Sequence, residues 1–393
     1  MTSIAVAPVK NRITSIDILR GFIMLIMAID HCRDYFHIGH PDATDLAITT
    51  PFLFFTRLIT HFCAPTFVFL SGVSAYLAGT RRTKGQLSAF LIKRGAWLLV
   101  VELLIINFAM TLDPGYHLFV LQVIWTIGSS MILLGLLVLA PLPVTGIIGI
   151  IIFFGHNIFD YVNVGSLGQT FCWKMMVSSK GFGEYWALDK THGVLIAYAV
   201  LPWTGVMLLG YVFGSLYKKT VEAARRQRVL LYTGIVLLLI FVVLRAFNIY
   251  GDPAPWSVQK NTALSIISFF NVSKYPCSLL YLCMTLGISI SALSLLENAD
   301  NKFTRILIVY GNVPFFYYVC HWYLLRVINI ITFPIQGFKI KDLIGAFDPP
   351  AVYGFSLFGV YVIWIIVITA LYLPCRWFSQ YKKTHTQWWL SYL

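Results

Sequence analysis

At 393 residues, 58% hydrophobic and only 11% charged, the chain is too apolar for a soluble domain, where about a quarter of residues carry charge. Its mean hydropathy of +0.77 indicates a polytopic membrane protein. The net charge of +13 then belongs to loops that set topology and meet anionic lipid, which argues against a nucleic-acid partner.

About 20 apolar residues cross a bilayer core. Such runs fall at 14–35, 54–79, 88–111, 118–140, 143–159, 193–216, 229–248, 264–296, 305–332 and 351–374. The fold class is therefore all-α: a polytopic integral membrane bundle of about ten transmembrane helices, taken as one domain over 1–393. Met1 opens a short polar stretch, and no signal-peptide pattern with a small-residue cleavage site follows.

Span 1 carries Asp17, Arg20, Asp30 and His31 inside an apolar run. Asp17 and Arg20 are three apart and share a helix face. Arg20 and His31 are eleven apart, so one stripe holds Asp17, Arg20, Met24, Met27 and His31, with about 16 Å between Arg20 and His31. Ionisable groups at membrane depth are costly and face an interior, a cavity or a pathway. The plainer alternative is a buried Asp17–Arg20 pair beside a packed histidine. In span 2, Arg57 and His61 are four apart. If spans 1 and 2 form a hairpin, His31 and His61 lie at similar depth and join Asp30 and Arg57 in an acid–base cluster. Otherwise Arg57 is interfacial and His61 is core.

Span 3 offers one acid, Glu102. His156 and Asn157 at the end of span 5, and His192 at the start of span 6, read as interfacial. The connection at 160–192, with Trp173, Lys174 and Gly181-Phe182-Gly183, is a lid or a surface crossing. Spans 8 and 9 are broken, at 271–276 and 310–314, because proline lacks a donor and its predecessor avoids helix. Broken helices at membrane depth are tolerated where they line a cavity. Lys274 sits in the first break. Tyr317, Tyr318 and His321 share one turn after the second. Spans 1, 2, 8 and 9 are thus expected to enclose one polar chamber holding Arg20, His31, His61, Lys274, Tyr317 and His321.

Lys10, Arg12, Arg81, Arg82, Lys218, Lys219, Arg225, Arg226, Arg228, Lys382 and Lys383 fall on one side if the spans alternate, which puts both termini in the cytoplasm. Seven scattered cysteines read as small apolar residues rather than a disulfide framework. Phosphate-binding Gly-rich loops and the serine nucleophile elbow are missing. His37 and His40 are three apart, a weak metal spacing, and no metal is expected.

The opening Ser15-Ile16-Asp17-Ile18-Leu19-Arg20-Gly21 resembles the start of the heparan-α-glucosaminide N-acetyltransferase family and its bacterial relatives. The Arg20–His31 spacing, followed by Phe67-Val68-Phe69-Leu70-Ser71-Gly72, is similar to bacterial membrane acyltransferases that O-acylate cell-surface sugars. Gly311-Asn312-Val313-Pro314 through His321 resembles a late span of these families. The resemblance implies a transmembrane acyltransferase in a bacterial inner membrane. It would take acetyl-CoA or another acyl-CoA from the cytoplasmic side and acylate a sugar or amino-sugar acceptor outside, a free small molecule or an envelope glycan. The partners are then the lipid bilayer and that acceptor, with a homo-oligomer left open.

The implied base is a histidine that removes the acceptor proton or carries the acyl group. The family's active histidine follows the first span, where this chain offers His37 and His40, with His61 further on. His31 ranks first by spacing and by its shared face with Arg20, and His61 second. Asp17 and Asp30 would orient or charge-balance the catalytic site. Arg20, Arg57, Lys274, Tyr317 and His321 would bind substrate or acyl-CoA. Ten spans with broken helices and buried His, Asp and Arg also describe a proton-coupled secondary transporter. A non-catalytic flippase or assembly factor for envelope glycans is a third reading, in which His31 is dispensable.

Overall fold

The computed structural model describes residues 13–177, 183–345 and 349–391. Lys10, Arg12, Gly181 and Phe182 lie outside the described residues. In chain order the helices begin with α1 (Thr14–Phe36), α2 (Pro51–His61), α3 (Cys63–Gly79) and α4 (Lys84–Val100). A π-helical segment (Val101–Ile106) joins α4 to α5 (Asn107–Thr111). Then come β1 (Leu118–Leu121), α6 (Val123–Leu137), α7 (Leu142–Gly155), α8 (Phe171–Met176), β2 (Glu184–Ala187) and β3 (Gly193–Ile196). The chain continues with α9 (Val200–Phe213), α10 (Ala223–Phe247), α11 (Thr262–Phe270), α12 (Leu279–Leu295), α13 (Lys302–Asn312), α14 (Pro314–Ile335) and α15 (Leu357–Thr384).

The polytopic helical class holds. Among the described residues, six helical runs are long and apolar enough to cross a membrane: Pro51–Gly79, Leu142–Asp160, Val200–Tyr217, Ala223–Phe247, Pro314–Ile335 and Leu357–Thr384. Two shorter apolar helices, α6 and α12, add to them. The remaining predicted spans are α1 and the α4–α5 run, whose charged residues lower their hydropathy. In its most apolar 18-residue stretch the α2–α3 run has 72% of its residues buried, against 22% in that of α15, so α2–α3 packs more centrally.

The breaks follow from local chemistry. Pro65 has no N–H to give the His61 carbonyl one turn back. The helix is interrupted at Phe62, and the Tyr281 hydroxyl donates to that carbonyl instead, at 2.8 Å. Tyr281→Phe is expected to leave it unsatisfied in a dry interior and cost about 1–3 kcal/mol. A thermal-melting comparison with wild type in the same detergent checks this. Pro314 similarly separates α13 from α14. The predicted span 8 proves to be two pieces: α12 is a 17-residue apolar helix, and α11 is separated from it by non-helical backbone at 271–278.

A small three-stranded sheet of order β1-β3-β2 joins the helices, with β1 parallel and β2 antiparallel to β3. It takes the first residues expected of spans 4 and 6. Short apolar runs do not distinguish strand from helix by periodicity, so Leu118–Leu121 and Gly193–Ile196 looked like helix starts.

Among the described residues the main apolar core runs from Ile16 to Leu390, and a small second cluster of Leu121, Val194 and Ile196 sits at the sheet. α1 crosses α13 with backbones in close approach. A Cβ on Gly21 would lie 1.9 Å from the Leu307 carbonyl oxygen, and one on Gly311 would lie 1.9 Å from the Asp17 carbonyl oxygen. Small residues let backbones touch where lipid offers no hydrophobic drive. Gly311→Val is therefore expected to push α13 off α1 and destabilise by at least about 1–3 kcal/mol. Loss of monodisperse protein on size exclusion reads this out, and wild-type behaviour would refute it.

Candidate functional site

A cavity of about 600 Å³ opens between α1, α2, α14, the 271–278 break and the ends of β1 and β3. α1 brings Asp30, His31, Arg33 and Asp34, and α2 brings Arg57 and His61. The break brings Lys274, α14 brings Trp322, and the segments after the strands bring Gln122 and Tyr198. His61 reaches this wall because the interruption at Phe62 ends α2 beside it.

Asp30 is the charge hub. It pairs with Arg57 in a short contact, with Arg33 at 3.0 Å and with Lys274 at 3.8 Å. Asp30 thus meets three cations, of which Lys274 is the most loosely held, and Asp34 and Asp42 add two further carboxylates to the lining. The Lys274 ammonium also lies 5.1 Å from the Tyr275 ring and 6.0 Å from that of Tyr198. Cations over aromatic faces are attracted to the ring quadrupole.

His31 stacks on Trp322 at 4.2 Å, and its Nδ1 lies 2.7 Å from His321 Nε2. Its Nε2 has no partner among the described residues and is left to the cavity that His31 lines. His61 Nδ1 is buried and unpartnered, and its ring packs edge-on to Tyr281.

A second cavity, of about 360 Å³, lies toward the N-terminal end of α1. Arg20, Arg94 and Lys382 line it, with apolar walls that include Met24, Leu98 and Ile127. Arg20 is tied to Asp17 at 3.2 Å, Ser74 at 2.9 Å and the Gly311 carbonyl at 3.3 Å. The two cavities share Met27, Phe67 and Val123. The α1 stripe Arg20, Met24, Met27, His31 therefore lines them in succession.

The expected single chamber is corrected by this arrangement. His31, His61 and Lys274 share the first cavity, whereas Arg20 is in the second, because bulky Met27 and Phe67 stand between the two. Tyr317 and His321 are fully buried behind His31 and line neither cavity. Asp17 also lines neither and serves Arg20. Glu102, at the start of the π-helical segment, is buried and accepts from the Gln122 backbone at 2.8 Å. His37 and His40 stand at the rim of the first cavity. Burial, with Arg33 and His40 nearby, lowers the His37 pKa.

Sequence reasoning missed the residues that hold the Lys274 segment. Arg245 is 1% exposed and donates to the carbonyls of Ser268, Phe269, Asn271 and Ala254 at 2.7–2.9 Å. Asp252 accepts from Ser273 N and Ser278 Oγ, each at 2.8 Å. His156 and Asn157, expected at the interface, are buried and meet Cys277 O and Leu279 N. Unwound backbone at this depth requires such partners. Arg245 near the end of an apolar span was the one available signal.

No curated protein matches the chain in direct comparison. The catalytic-domain pattern of heparan-alpha-glucosaminide N-acetyltransferase matches residues 12–250. The matched stretch contains Arg20, Asp30, His31, Arg57 and His61, while Lys274, His321 and Trp322 lie beyond it. Because the match covers more than half of the chain, the protein belongs to the heparan-alpha-glucosaminide N-acetyltransferase catalytic family and is a helical membrane protein of the acyltransferase type.

Proposed function

We propose that the protein moves an acyl group, acetyl in the simplest case, from acyl-CoA on the cytoplasmic side to a hydroxyl or amine of a sugar on the outer side. The observation that carries this reading is the pair of cavities meeting at Met27, Phe67 and Val123, one turn of α1 from His31. The second cavity is apolar with a basic lining, suited to an extended acyl-bearing arm with a phosphorylated head. Arg20, Arg94 and Lys382 supply the charge-assisted donors that phosphate takes. The first cavity is polar and aromatic, suited to a sugar.

In this reading the acceptor proton passes to His31 Nε2 as the acceptor atom bonds the thioester carbonyl carbon. The carbon–sulfur bond breaks, and the proton returns from His31 to the departing sulfur. Lys274 and Arg57 stabilise the carbonyl oxygen as it gains charge. Trp322 stacked on the imidazole favours its transient cation. Asp30 keeps the cations in place. His61, which lines the same cavity, is the second candidate base. Both termini are cytoplasmic in this scheme, which a reporter fused after Leu393 and active only outside the cytoplasm would overturn.

The test is transfer of label from radiolabelled acetyl-CoA by purified protein in lipid nanodiscs, using a panel of amino sugars and neutral sugars. Label in an acceptor supports the reading. Substrate uptake into vesicles driven by a proton gradient, without consumption of acyl-CoA, would move the assignment to a transporter.

A further inference from the structure

His31 and His321 come from helices far apart in sequence, yet their rings meet at 2.7 Å in a buried place. A neutral imidazole has one donor and one acceptor nitrogen, and the partner of each decides which is which. His321 Nδ1 is buried with no hydrogen-bond partner among the described residues, so its own helix does not fix the tautomer. His31 Nε2 is the nitrogen left to the cavity. For it to act as the base its lone pair must be free, which puts the imidazole proton of His31 on Nδ1. The contact at 2.7 Å then requires His321 to accept at Nε2 and to carry its own proton on Nδ1. Burial holds the pair in register: His321 is 0% exposed and its ring lies parallel to that of Tyr317, at 6°.

We propose that His321 is a positioning residue, which accepts the Nδ1–H of His31 and so keeps Nε2 of His31 as the basic nitrogen facing the acceptor. The proposal rests on the reading of His31 as the base. It replaces the expectation that His321 binds substrate or acyl-CoA. When His31 takes up a proton, the same bond stabilises the cation, so the partner also sets the basicity of the pair, which titrates as a unit. The other groups around His31 are Asp30 and Asp34 on its own helix, Arg57 on α2, Lys274 from the break, and Tyr318 and Trp322 on α14. All of them remain in a His321 variant.

The first readout needs no turnover. In ¹⁵N-histidine protein in nanodiscs, the resonance lost in His31→Ala should be that of an Nδ1–H tautomer, and His321→Leu should move the proton to Nε2. A wild-type His31 protonated on Nε2 overturns the proposal. The second readout is kinetic. His321→Leu should lower kcat about 100-fold, within the range of a displaced general base, and shift the acidic limb of kcat/KM to lower pH. His321→Gln, whose carbonyl oxygen can stand near the lost Nε2, should recover to within about tenfold of wild type. An unmoved limb in His321→Leu, with kcat unchanged, overturns the proposal. If His321→Leu does not fold, His321→Gln is compared with the shorter His321→Asn, and equal activity overturns it. A wild type with no acyl transfer but an Nδ1–H His31 sinks the function and leaves the dyad standing. An active wild type with a silent His321→Leu does the reverse.

Discussion

Purified His31→Ala protein is expected to stay folded in the membrane and to lose acyl transfer by at least about 10³-fold per folded molecule, in the upper range for removal of a general base. Imidazole is the side chain that accepts and returns a proton near neutral pH without a large shift in its affinity. The fold should tolerate the change because His31 borders an existing cavity, so truncation widens a space instead of opening a new void. The loss left in the interior is the contact to His321, about 1–2 kcal/mol. His61→Ala serves as the comparison. Near-normal turnover in His31→Ala beside a dead His61→Ala would move the base to α2. Full activity in both variants would sink the histidine mechanism.

The opposite pattern, lost protein rather than lost chemistry, is expected for Asp30→Ala. The carboxylate is the shared partner of Arg57, Arg33 and Lys274, and it is 7% exposed. Removing one partner of a buried ion pair typically costs about 3–5 kcal/mol, because the remaining charge keeps its desolvation penalty. Here Arg57 and Lys274 are both left without their carboxylate, while Arg33 retains Asp34 at 2.8 Å. Asp30→Ala should therefore melt well below wild type and be recovered in low yield. The double variant Asp30→Leu with Arg57→Met removes the closest pair together and should regain part of the loss. Melting curves in one detergent decide between these outcomes. A wild-type melting point for Asp30→Ala would show that the cluster is hydrated and that Asp30 is not its hub.

Arg20, His31, Asp30 and Arg57 were legible as costly polar groups in apolar runs, because the bilayer makes each charged residue conspicuous. Helical periodicity placed Arg20, Met24, Met27 and His31 on one stripe, and the cavities follow that stripe. The prolines at 276 and 314 marked where helices break, since a missing N–H is a local property of the chain, whereas the interruption at Phe62 ahead of Pro65 came only with the structure. The positive-inside pattern proposes an orientation from composition alone.

The tertiary structure decided what periodicity cannot carry. Helix phase says which residues share a face of one helix, but not which helix lies opposite. Hence His321 was assigned to ligand binding, while its ring meets His31 across 290 residues of chain. The division into two cavities depends on Met27, Phe67 and Val123 converging from three helices, and each alone is an ordinary apolar residue. The brace around Lys274 is built largely from backbone carbonyls accepting from Arg245, and carbonyls are the same in every sequence. The amino-acid sequence by itself determined a helical membrane protein with ionisable residues gathered at its first two spans. Spacing along one helix already paired Asp17 with Arg20, but packing decided the partners on other helices, because side-chain distances between helices depend on crossings such as Gly21 on Gly311, where the absence of a Cβ lets two backbones touch.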